Sequence, residues 1–234
     1  MNDQERIKLA ALHTQVIRPP QQLLATFGQT NIHYYLLTEP IYAELEQQAR
    51  PETVLREGRV IAERPKLVTP VYMHKLEGFG DDAQRYFEMI MRRHGPHAPG
   101  LLYTYKNEPK DTSILTGSLP AVANRINDDI NERGEKGATI IRGVDEMWDV
   151  SLFKFIYELT EHSISQNVTE LKAHGLFGVD NSGLPIEARM RIEQMFWDAS
   201  RGELDPGLLK TELDRWGIFD EYQDRFLDLF RRRR

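Results

Sequence analysis

The 234 residues contain no cysteine, which removes disulfides, thiolate zinc sites and cysteine nucleophiles from consideration. Surplus positive charge is missing as well. Thirty lysines and arginines stand against 36 acids, a net charge of -6. That balance argues against nucleic acid and against polybasic membrane binding. No run approaches the ~18 consecutive apolar residues of a spanning helix, and no fixed-period repeat or low-complexity tract is present. The start, Met1-Asn2-Asp3-Gln4-Glu5-Arg6, has no basic segment leading into an apolar one. No secretory signal is expected, and the expected location is the cytoplasm.

What is present is a pattern of alternating elements. Ile32 to Leu37 is aromatic and apolar and reads as a strand, Pro40 opens a helix over Ile41 to Ala49, and Glu57-Gly58 reads as a hairpin turn between two short strands. From Lys66 onward, strands are expected at Leu67–Met73, Gly100–Tyr105, Ala138–Val144 and Leu176–Val179. Helices are expected from Asp81 to Arg93, from Ser118 to Gly134, and from Asp149 or Ser151. A short helix is expected over Asn167 to Ala173, and Pro185 opens another. Two more helices follow, one from Asp205-Pro206 to Gly217 and one over Ile218 to Phe230. The expected fold class is α/β: a mostly parallel sheet with helices on both faces, a small N-terminal α+β extension (1–65) and a C-terminal helical tail (201–234) around a core at 66–200.

In an open α/β sheet, ligands bind beyond the carboxyl ends of the strands. The residues expected there include Lys106, Arg142, the Asp145-Glu146 pair and Asp180. Lys106 and Arg142 would hold an anion, and the two neighbouring carboxylates would hold magnesium or act as a base. The run of helix 81–93, strand 100–105, strand 138–144 with its acidic pair, and Gly175-Leu176-Phe177-Gly178-Val179-Asp180 resembles RecA-like phosphate-loop domains. The resemblance implies a nucleotide-binding fold. Where that family has Gly-x-x-x-x-Gly-Lys-Ser/Thr, this chain reads His74-Lys75-Leu76-Glu77-Gly78-Phe79-Gly80-Asp81-Asp82, so a degenerate relative without the phosphate loop is implied.

Other constellations are incomplete. His94 and His97, with His74 as a third, lack the spacing of a known metal site. Ser118 lacks the Gly-x-Ser-x-Gly frame and reads as a helix cap. His162 and His174 are candidate bases with no nucleophile assigned to them. Asp128-Asp129 reads as a solvated helix face. Arg92-Arg93 and Arg231–Arg234 can meet phosphate by charge alone. Trp197, Trp216, Phe219, Phe226 and Phe230 read as packing residues, or as a protein-binding stripe. The leading expectation is a non-catalytic interaction protein that needs no cofactor and contacts a partner or a second copy through its C-terminal helices. The alternative is a domain that binds a nucleotide or another phosphorylated molecule at the strand ends.

Overall fold

A computed structural model describes residues 3–40, 51–69, 72, 92 and 100–231. The expected helix over 41–49, all but Arg92 of the helix over 81–93, His74, His94, His97 and Arg232–Arg234 lie outside the described residues. The chain forms two compact units, each drawn from two stretches of sequence: 1–64 with 103–167, and 65–102 with 168–234.

The first unit is built on a five-stranded sheet. Helix α1 (Asp3–His13) leads into β1 (Gln15–Arg18), β2 (Thr30–Thr38), β3 (Glu52–Ala62), β6 (Tyr105–Thr116), α2 (Leu119–Arg133) and β7 (Ala138–Arg142), in the order β1-β7-β2-β3-β6. A 3₁₀ turn at Asp145–Met147 then enters α3 (Trp148–Ala173). The expected mostly parallel sheet is corrected here. Among the described residues only β2 and β7 pair in parallel, while β1–β7, β2–β3 and β3–β6 are antiparallel. Both middle strands are apolar on two sides because helices cover both faces, and that pattern does not encode strand direction. Ile32, Tyr34, Leu36 and Ile141 pack against Leu152, Phe155 and Leu159 of α3. Tyr35, Leu37 and Ile140 pack against Val122, Ile126 and Ile130 of α2 on the other side.

Two local readings also change. Glu57-Gly58 is not a hairpin but the middle of one continuous strand. Gly58 sits opposite Tyr34, whose ring occupies the space a β-carbon would need. The residues from Lys106 to Glu108, expected in a loop, belong to β6, an edge strand that tolerates Pro109 beside a register shift. The irregular segment after β1 is pinned by buried polar side chains of α3. Ser163 accepts from Leu24 N–H at 3.0 Å. Asn167 donates to Leu24 O at 2.8 Å and Thr26 at 2.7 Å, and accepts from Tyr103 at 2.7 Å. The expected separate helix over Asn167–Ala173 is the last part of α3.

The second unit pairs β4 (Lys66–Val68) with β5 (Gly100–Leu102), antiparallel. Its helices are α4 (Ile186–Arg201), α5 (Pro206–Trp216) and α6 (Phe219–Arg231). Their limits follow local chemistry. Asp205 caps α5 by accepting from Gly207 N–H at 2.9 Å, and Gly202 and Gly217 end α4 and α5 in left-handed conformation. The core joins Ile192, Phe196, Leu209, Leu213, Tyr222 and Phe226. The expected strand at Leu176–Val179 reduces to a single bridge, Val179 to Pro185. Among the described residues, no helix is long and apolar enough to cross a membrane.

Candidate functional site

The parallel pair brings the carboxyl ends of β2 and β7 together. A cleft of about 620 Å³ opens there between the end of α1, Glu39, the start of α2 and residues 142–145. Gly143 is required at the turn. Its N–H donates to Leu37 O at 2.9 Å, and a β-carbon would fall 2.7 Å from Ser151 Oγ. That close approach lets β7 turn directly into the segment carrying Asp145 and Glu146.

Asp145 Oδ1 accepts from Thr38 Oγ1 and from Arg56 Nη1, both at 2.7 Å. The Arg56 guanidinium lies 5.8 Å from the Trp148 ring centre. The Arg56 and Asp145 side chains are only 18% and 14% exposed, so this pair is weakly screened. Around it, Arg142 reaches Glu39 at 3.5 Å and Arg6 reaches Glu146 at 2.9 Å. Among the described residues, three cations in and around the cleft therefore each face a carboxylate. Among the described residues, no group of three or more histidines or acids is placed to hold a metal ion.

Three of the expected site residues, Arg142, Asp145 and Glu146, thus meet at one end of the sheet. Lys106 does not join them. It pairs with Ile61 near the start of β6, at the opposite end, with its ammonium 2.7 Å from Glu108. Asp180 belongs to the second unit, where it closes a loop. Its carboxylate accepts from Ser182 N–H, Ser182 Oγ and Leu184 N–H at 2.6–3.0 Å and from Arg189 Nε at 2.7 Å. Burial alone would raise its pKa, but the Ser182 and Arg189 hydrogen bonds outweigh that and hold it at about 2. Sequence reasoning missed Arg56 and Thr38. The available signal was a single arginine in the apolar run Val54-Leu55-Arg56, where an unpaired cation is costly.

The other sequence candidates separate in space. Ser118 precedes α2 and His162 lies on α3, on opposite faces of the sheet. His162 Nδ1 sits 2.6 Å from Glu158 O of its own helix, as His174 Nδ1 sits 2.8 Å from Glu170 O. Asp128 and Asp129 are exposed, as a solvated helix face requires.

In the second unit one polar cluster is sealed inside. Arg191 contacts Glu187 at 2.6 Å and Glu212 at 2.9 Å, and Glu212 also accepts from Tyr72 OH and Trp216 Nε1, each at 3.0 Å. Burial disfavours charge on Glu212, yet Arg191 and the hydrogen bonds leave its pKa below the ordinary value. The outside of α4 is the opposite. Ile186, Met190 and Trp197 are 37%, 59% and 58% exposed. At about 100° per residue they fall within about 40° of one another on the solvent side. A groove of about 390 Å³ runs beside them, floored by Phe196 and Leu229 and bordered by Glu193, Ser200, Arg225 and Asp228. Trp216 and Phe226, by contrast, are buried in the core. Comparison with protein families, with curated proteins and with solved structures finds no match for this chain.

Proposed function

We propose that this is a non-catalytic interaction protein that takes up another protein's helix along the outer side of α4. The observation that carries the reading is the row Ile186–Met190–Trp197, an apolar stripe turned to solvent on a helix whose other side already fills a core. A helix normally spends its apolar residues on one face. A tryptophan and a methionine left outside, beside an apolar-floored groove, match the composition of interface anchors. The rim supports this use. Glu193 and Arg225 pair at 2.7 Å, Arg201 and Glu203 at 2.6 Å, and so these charges beside the anchors are already paired. The strand-end cleft favours the same reading, since its charges are engaged with one another.

The test is a photo-crosslinking residue placed at Met190 in the full chain within cells, with Lys210 on α5 as the control position. Adducts are expected from position 190 that disappear when Trp197→Asp is added, with none from position 210. No adduct at 190 would overturn the reading.

A further inference from the structure

We draw no further inference here: the strongest candidate, the outer edge of β6 from Asp111 to Thr116 with its exposed Ile114, carries nothing, since nothing in the structure shows what covers it.

Discussion

The strand-end cleft of the sheet unit and the outer side of α4 are opposites. In and around the cleft, Arg56, Arg142 and Arg6 each face a carboxylate, and Arg142, Asp145 and Glu146, which the sequence offers as a site, are engaged in these pairs. On α4, Ile186, Met190 and Trp197 stay outside the core that the described residues form. The difference shows where spare interaction capacity lies: in apolar surface that folding did not consume, not in charge that folding already neutralised. If that is right, substitutions in the polar clusters damage stability, and substitutions in the stripe damage association alone.

The largest stability loss is expected at the sealed cluster of the helical unit. Arg191→Ala strands Glu187 and Glu212 in a buried site and should cost about 3–5 kcal/mol, lowering the thermal midpoint by on the order of 10 °C. Arg56→Ala, at the half-open cleft, removes the cation from Asp145 and should cost about 2 kcal/mol in urea unfolding. A negligible loss there would free Asp145 for another role and break the contrast.

Acid unfolding gives a smaller effect. The Asp180 carboxyl lies at about 2 when folded and near 4 when unfolded. Its contribution is therefore complete above about pH 4 and lost as pH falls through about 2. Asp180→Asn should flatten that part of the stability–pH curve. Trp197→Asp should sit at the bottom of the scale, within about 0.5 kcal/mol of wild type for the single chain. A large loss at that position would mean that Trp197 serves the core.

Much of the local structure is legible in the sequence because its signals are local. Gly134, Asp205-Pro206 and Gly217 mark helix limits, and the structure places them there with the expected cap conformations. The end of β7, with Arg142, Asp145 and Glu146, is equally readable. Strand direction is not, since Leu36 and Ile141 are buried on either side whichever way their neighbours run. Gly58 reads as a turn because nothing near it in sequence announces Tyr34, and Pro109 disguises an edge strand as a loop. Lys106 consequently lands at the wrong end of the sheet for a joint site with Arg142. Trp197 and Phe226 look alike in sequence. Only their helix phases separate them, facing solvent in one case and the core in the other.

Peroxide oxidation of Met190 tests the central claim most directly, because an exposed methionine thioether oxidises readily and a covered one does not. Rates should be read by mass spectrometry for the purified chain and for the chain inside cells, with half-buried Met195 as the internal reference. The account predicts fast oxidation in the purified chain, protection inside cells, and no such protection in Trp197→Asp. A slow rate in the purified chain would place Met190 inside the folded chain, and an equally fast rate inside cells would show that no partner covers it. Either result contradicts the account.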